Sequence, residues 1–415
     1  MSDEARQSRA PALRFYNPDW LDDTDLVENF VARRDLLAFL IDELQRAPLR
    51  GTVTHHLLIG IRGAGKTTLL KRLAVAIRKE TALTDHLIAL SFPEELYEVK
   101  GLADFWWAAC EALADELDRA GDRKAADSLT DAVDSRRRQA RPADAHDETG
   151  LRLLLDTCAK LKRRPVLLVD NLDLILRRID KSGRKLNDPH AQAYWALREA
   201  LSKPDSPLMI AGSVRLSEPF TDYDKAFYDF FVPQRLGKLS LEDMQAVFDH
   251  LALRHDGEGL RERIRNQPGR LKALYDMTGG NPRALGLLFE LLRQGPNGRA
   301  IDDFERLLDL TTPYYKARFE DLADQAQVVM HALAVVKRDF ENAAFGHTAA
   351  SISQHTGLET RTVSAQLDVL VNEGVIEKDN TQKGRTQYRI AEQLFRLWLQ
   401  MRSTRRIRQN VVGLT

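Results

Sequence analysis

Residues Gly60-Ile61-Arg62-Gly63-Ala64-Gly65-Lys66-Thr67 fit the spacing G-x-x-x-x-G-K-[ST] in full. Glycines at such a turn let backbone N–H groups point inward around phosphate oxygens. A helix opening directly after the turn adds the positive end of its dipole. In this arrangement Lys66 reaches the β- and γ-phosphates, and the Thr67 hydroxyl ligates Mg²⁺. Gly60, Arg62, Gly63, Ala64, Gly65 and Thr68 contribute the rest of the cradle. The other half of such a site is an apolar strand ending in a carboxylate. Val166-Leu167-Leu168-Val169-Asp170 supplies it, and Asp170 would hold Mg²⁺ through water. ATP and Mg²⁺ are therefore the expected ligands. Asn171 stands where a general base for the attacking water would follow Asp170, and an amide cannot take that proton. Asp173 is the nearest carboxylate, and Glu94 and Glu95 are remoter ones. ATP binding follows from this pattern; rapid hydrolysis does not.

These residues need elements to hold them. Thr54–Ile61 reads as a buried strand and Lys66–Lys79 as the helix after the loop. Asp35–Gln45 carries an apolar stripe at helical spacing, Leu36, Leu37, Leu40, Ile41 and Leu44. Asp85–Phe92 and Leu208–Gly212 read as further strands, and Ala103–Arg119 as a helix with Phe105, Trp106, Ala109 and Leu113 inward. Val166–Val169 is uniformly apolar, as strands covered on both faces are. Strands alternating with helices predict a parallel α/β sheet. Residues 120–150 are rich in Ala, Asp and Arg and predict an exposed helical insertion or a mobile loop. Arg136-Arg137-Arg138 there reads as a solvated face.

The chain has 415 residues, with 43% hydrophobic and 29% charged, which suits two or three folded domains and excludes a disordered class. Lys+Arg and Asp+Glu are 61 each, so any nucleic-acid surface must be local. Two cysteines, Cys110 and Cys158, make neither a disulfide framework nor a cysteine zinc site. No stretch approaches the roughly 20 apolar residues of a membrane helix, and the start carries no leader pattern. The expected setting is the cytoplasm. His55-His56 and Trp106-Trp107 read as packing residues.

Phe30-Val31-Ala32-Arg33 resembles the box that precedes the phosphate loop in the archaeal replication initiators and the STAND signalling ATPases, two branches of the AAA+ superfamily. Ala32 stands where glycine is usual. Asp170-Asn171-Leu172-Asp173 is similar to their D-[DE]-x-D strand end, and Leu208–Arg215 resembles their sensor 1 strand. Thr278-Gly279-Gly280-Asn281-Pro282-Arg283-Ala284-Leu285 resembles their sensor 2 turn and helix. The resemblance implies that Val31, Arg33 and Pro282 border adenine. It also implies that Ser213 and Arg215 lie near the γ-phosphate and that Arg283 reaches it. It places the sensor 1 strand between the phosphate-loop strand and the Asp170 strand.

From residue 325 the pattern is helix, turn, helix, then two strands, with Thr360 capping the second helix. This resembles the winged helix at the C-terminus of archaeal initiators. Arg361, Thr362, Ser364, Ala365 and Gln366 fall on its outward face; Arg361 and Gln366 suit base edges. Lys383 and Arg385 lie in the wing, and Arg402, Arg405, Arg406 and Arg408 in a tail. From 325 onward there are 12 Lys+Arg against 8 Asp+Glu, a local excess that favours nucleic acid.

The fold expected is therefore α/β: a parallel-sheet P-loop core of the AAA+ type, an all-α lid and a C-terminal winged-helix domain. The expected divisions are 1–239 for the entry segment and core, 240–324 for the lid and 325–415 for the winged helix. The function expected is an ATP-controlled AAA+ switch acting on double-stranded DNA, with a homo-oligomer or protein partner possible and no membrane. The alternative is a STAND-like signalling or scaffold ATPase whose winged helix docks a protein.

Overall fold

Five parallel strands run in the order β2-β3-β4-β1-β5. They are β1 (His55–Ile59), β2 (Leu87–Ser91), β3 (Arg164–Val169), β4 (Leu208–Ser213) and β5 (Phe231–Arg235). The computed structural model describes residues 21–92, 99–138, 147–179, 191–216, 218–255, 258–294, 299–335, 346–379 and 386–401. β1, β3 and β4 are buried along their whole lengths. Their near-continuous Leu, Ile and Val content is what two covered faces require. β4 lies between β1 and β3, as the family resemblance implies.

β5 has no counterpart in the sequence expectation. Its residues, Phe-Val-Pro-Gln-Arg, alternate poorly and include Pro233. Proline lacks the N–H that an interior ladder needs, so it is tolerated at an edge, and β5 is the edge beside β1.

Two compact units divide the chain. One comprises residues 22–60 and 65–236 and contains the sheet. Its core gathers Leu57, Leu90, Phe105, Trp106, Leu113, Leu154, Leu167 and Met209. Part of the 120–150 segment is settled as a helix, Arg123–Arg138, with Ala126, Leu129 and Val133 buried. It packs on the Leu102–Arg119 helix.

Two buried polar groups brace the strand starts. The Arg164 guanidinium donates to four backbone carbonyls: Ser206 at 2.8 Å, Pro48 at 2.6 Å, Gly51 at 2.8 Å and Pro204 at 2.6 Å. It ties the segments entering β1 and β4 to the start of β3. His55 accepts from the Met209 N–H at Nδ1 (3.1 Å) and donates from Nε2 to the Leu201 carbonyl (3.2 Å). That pattern needs the neutral ring, and burial lowers its pKa to about 4.

The unfolded His55 gains a proton below about pH 6.5 while the folded one does not. Stability present above pH 6.5 is thus lost as pH falls from 6.5 towards 4, by about 1.4 kcal/mol per pH unit. In urea unfolding, the margin of the wild type over His55→Gln should shrink by about 2 kcal/mol between pH 7 and pH 5. A margin that does not change with pH would show that the ring is not held neutral.

The second unit comprises residues 61–64 and 237–415. Its helices include Leu241–His255, Pro268–Thr278, Pro282–Gln294 and Ala300–Glu320. Three further helices follow, Asp324–Val335, Ala349–Thr356 and Thr360–Asn372. An antiparallel hairpin of β6 (Ile376–Asp379) and β7 (Gln387–Ile390) comes next. Val363, Leu367 and Leu370 turn inward on the Thr360–Asn372 helix. Its cap differs: Glu359 is the N-cap, and Thr360 is the first helical residue. The Thr360 hydroxyl donates to Ser353 Oγ instead, at 3.1 Å.

Candidate functional site: a phosphate cradle and its metal-binding pair

Parallel pairing brings the key strand ends together. Val169 lies opposite Ala211 in the β3–β4 ladder, and Leu58 opposite Gly212 in the β1–β4 ladder. The Gly60 N–H then donates to the Ser213 carbonyl at 3.1 Å. Residues 60, 170 and 212 therefore share one end of the sheet. The chain enters the Lys66–Lys79 helix through Gly65, whose φ of +89° is a left-handed conformation that favours glycine.

Lys66 is buried, and its Nζ donates to the Gly60 carbonyl at 2.7 Å. The lysine thus folds back over the first residue of its own loop. Thr67 Oγ1 donates to Asp170 Oδ2 in a short hydrogen bond. Asp170 Oδ1 accepts the Asn171 N–H at 2.9 Å. Asn171 has a φ of 54°, a left-handed conformation that Asn tolerates better than most residues. The hydroxyl and the carboxylate expected to share Mg²⁺ are thus already in contact.

Gly212 makes that contact possible. A Cβ there would lie 2.8 Å from Asp170 Oδ1 and 3.6 Å from Lys66 Cδ. Sequence reasoning passed over this residue. Its signal was a glycine inside an otherwise apolar strand, which often marks a close approach by another group.

Ser213 is fully buried at the end of β4. Its hydroxyl lies 2.6 Å from Asp173 Oδ2 and also contacts the Arg215 carbonyl, while the Arg215 N–H donates to it at 3.2 Å. Asp173 Oδ2 also accepts the Val214 N–H at 3.0 Å. Asp173 therefore holds the end of β4. Arg33 caps the Arg34–Arg46 helix with a φ of 59°. Its Nη1 lies 3.1 Å from where a Gly65 Cβ would stand, which places Arg33 beside the loop. Val31 and Thr68 are half-buried.

The second unit contains its own part of the loop. Asn281 Nδ2 donates to the Arg62 carbonyl at 3.1 Å, and its Oδ1 accepts the Arg283 N–H at 3.0 Å. Asn281 is thus the cap of the Pro282–Gln294 helix and a tether for residue 62. Pro282 occupies the first helical position, where a missing N–H costs nothing. A Cβ on Gly63 would meet Asn281 Oδ1 at 2.6 Å and Arg283 Cβ at 3.0 Å. The Arg283 guanidinium lies over the Tyr314 ring, 5.7 Å from its centre. Asn281 is a further functional residue that sequence reasoning missed, although Asn before Pro at a helix start is a cap signal.

On the Thr360–Asn372 helix Arg361 is exposed. Gln366 is half-buried and its amide faces Gln325 Oε1 at 3.4 Å, so it is partly engaged within the unit. Lys383, Arg385, Arg402, Arg405, Arg406, Arg408, Glu94 and Glu95 lie outside the described residues. No cluster of three or more His, Cys, Asp or Glu suited to a metal occurs among the described residues. No helix among them is long and apolar enough to cross a membrane.

Residues 29–202 match the AAA ATPase domain family. The likeness to that family covers this part of the chain. No curated protein matches the chain. Among solved structures, the Walker-type ATPase PABY2304 of Pyrococcus abyssi is 15% identical, with a TM-score of 0.54 over 90% of this chain and 97% of that one. The Aeropyrum pernix ORC1 protein, solved in complex with DNA, is 11% identical, with a TM-score of 0.51 over 93% of this chain and 95% of that one. At these identities the likeness is one of fold. The AAA ATPase family that residues 29–202 match binds a nucleotide, usually with Mg²⁺. The residues present fit that group, because Thr67 and Asp170 meet where Gly212 leaves room.

Proposed function

We propose that this chain is an ATP-controlled switch that acts on double-stranded DNA in the cytoplasm, through a winged helix within residues 325–415. One observation carries the reading. The 278–285 turn, which holds Asn281 and Arg283, belongs to the same compact unit as the three helices and hairpin. Within that unit the Ala300–Glu320 helix is tied to the segment after the hairpin. Buried Tyr315 donates to Glu392, and Arg318 pairs with Glu392 at 3.1 Å. Phe395 stacks on Tyr315, and Trp398 Nε1 donates to Thr312 Oγ1 at 2.9 Å. A change at the turn therefore has a packed route to the hairpin. The DNA complex of the ORC1 fold relative supports the choice of ligand.

In this reading Lys66 and the loop N–H groups hold the phosphates. Thr67 and Asp170 would hold Mg²⁺, which supplies neutralisation of phosphate charge. Asp173, already accepting two donors through Oδ2, positions Ser213 and the end of β4. Arg283 distinguishes the triphosphate from the diphosphate.

Duplex titrations over several salt concentrations test the DNA reading. Arg361→Ala should weaken binding and reduce discrimination between sequences if it reads base edges. Lys383→Ala with Arg385→Ala should weaken all duplexes alike and flatten the log–log salt slope by about two. A wild type with no salt-sensitive binding would instead favour the docking of a protein partner or of a second copy.

Turnover should be slow, well below the typical enzyme median of about 10 s⁻¹. Asn171→Glu should raise it several-fold. It should also lower the melting temperature slightly, because the left-handed backbone costs a residue other than Gly or Asn about 1 kcal/mol. Fast wild-type phosphate release would show that a base other than residue 171 serves the attacking water.

A further inference from the structure

Within the second unit, a cavity of about 240 Å³ is lined by Lys238, Arg389, Ile390, Ala391, Gln393 and Arg396. Three of the six lining side chains are cationic and none is acidic. A water takes up about 30 Å³ of liquid, so the space admits a phosphate group with part of its hydration. Gln393 adds an amide, and arginines are suited to phosphate oxygens by their planar fork of donors. Glu377 holds Arg389 from across the hairpin, with Nε at 2.6 Å and Nη2 at 2.5 Å, which fixes its position at the end of β7.

The cavity adjoins the 278–285 turn. A Cβ on Gly279 would lie 2.9 Å from Gln393 Cβ and 3.8 Å from Lys238 Nζ. The residue after Lys238, Leu239, donates its N–H to the Gly280 carbonyl at 2.9 Å and accepts from the Tyr275 hydroxyl at 2.8 Å. Gly280 immediately precedes Asn281. A ligand gripped by Lys238 and Gln393 is therefore one hydrogen-bonded step from the residue that caps the Arg283 helix.

We infer that this cavity is a phosphate-group site, separate from the phosphate loop. None of its lining residues belongs to the loop, and the inference does not depend on DNA binding. The group can come from a free phosphate compound or from a nucleic-acid backbone, and the test separates the two.

The full chain is first saturated with a non-hydrolysable ATP analogue and Mg²⁺, which fills the loop. Inorganic phosphate is then titrated by calorimetry at constant ionic strength, beside a short duplex in a separate series. The comparison protein is Lys238→Gln with Arg396→Gln, with Lys238→Arg and Arg396→Lys as the charge-preserving control. Affinity for the ATP analogue should be the same in all three. A free-phosphate site predicts wild-type binding of inorganic phosphate that falls at least tenfold in the Gln variant and is kept in the control, with duplex affinity unchanged. A backbone site predicts that the Gln variant loses duplex affinity and that its salt slope flattens by about one to two. The inference is overturned if the folded Gln variant matches the wild type for both ligands, or if the control loses binding as fully as the Gln variant. Duplex binding that survives in the Gln variant leaves the DNA reading standing whatever happens to phosphate.

Discussion

Lys66→Ala should abolish measurable ATP·Mg²⁺ binding, a loss of at least a hundredfold in affinity. The lysine is buried at the start of its helix, and its ammonium already donates to the Gly60 carbonyl at 2.7 Å. A charge-assisted hydrogen bond is roughly twice as strong as a neutral one, and in the proposed site the charge would face the most negative part of the ligand. Truncation removes that partner and also the clasp across the loop. The two losses act on the same ligand, so they do not add as independent terms. Lys66→Met keeps the apolar stem against Gly212 and removes only the charge, so it should be as defective in binding while melting closer to the wild type. Calorimetry showing unchanged affinity in either variant would remove the loop from the nucleotide site.

The parts of this site that were legible in the sequence are those where local chemistry and local structure coincide. The loop, its strand and its helix are contiguous, and Lys66–Lys79 is helical over the span that the pattern predicts. Asp170 was legible because a uniformly apolar strand ending in a carboxylate is a short-range pattern. The pairing of Thr67 with Asp170 links residues 103 apart in the chain, and only the loop and strand together suggested it.

What escaped depends on the sheet. β5 carries little strand signal, because an edge position relaxes the demands that make interior strands readable. Gly212 matters only once β3 and β4 are in register, and no window of sequence around it contains Asp170. The helices Thr149–Lys160, Leu172–Ile179 and Ala191–Ser202 are likewise hard to read locally. The first packs mainly on the Leu102–Arg119 helix, the second meets β4, and the third meets the second. At Thr360 local chemistry points the other way: Thr is a good capping residue, yet the chain uses Glu359 as N-cap without a side-chain cap bond. Asp173 reads, from sequence alone, as the nearest carboxylate to Asn171. Its neighbours in space, Ser213 and Val214, give Oδ2 a different task.

The sharpest consequence of the register concerns Gly212. Gly212→Ala should lower the affinity for ATP in the presence of Mg²⁺ at least tenfold, and Gly212→Val should lower it further. The backbone at 212 is not in the left-handed region, so the substitution carries no conformational strain of its own. In a strand interior, alanine in place of glycine reduces the entropy lost on folding. The damage is local instead. The new Cβ would stand 2.8 Å from Asp170 Oδ1, and that carboxylate cannot swing away cheaply, because Thr67 and the Asn171 N–H hold its two oxygens. The carbon is only in ordinary contact with Lys66, at 3.6 Å. The Thr67–Asp170 pair is therefore hit harder than Lys66. Binding measured in EDTA should consequently change much less than binding measured with Mg²⁺, while the melting temperature stays within a few degrees of the wild type. That split separates a displaced carboxylate from a strand that simply fails to pack, which would weaken both measurements together with the melting temperature. Full retention of the Mg²⁺-dependent gain in a folded Gly212→Val protein would show that Asp170 does not need the space that glycine leaves.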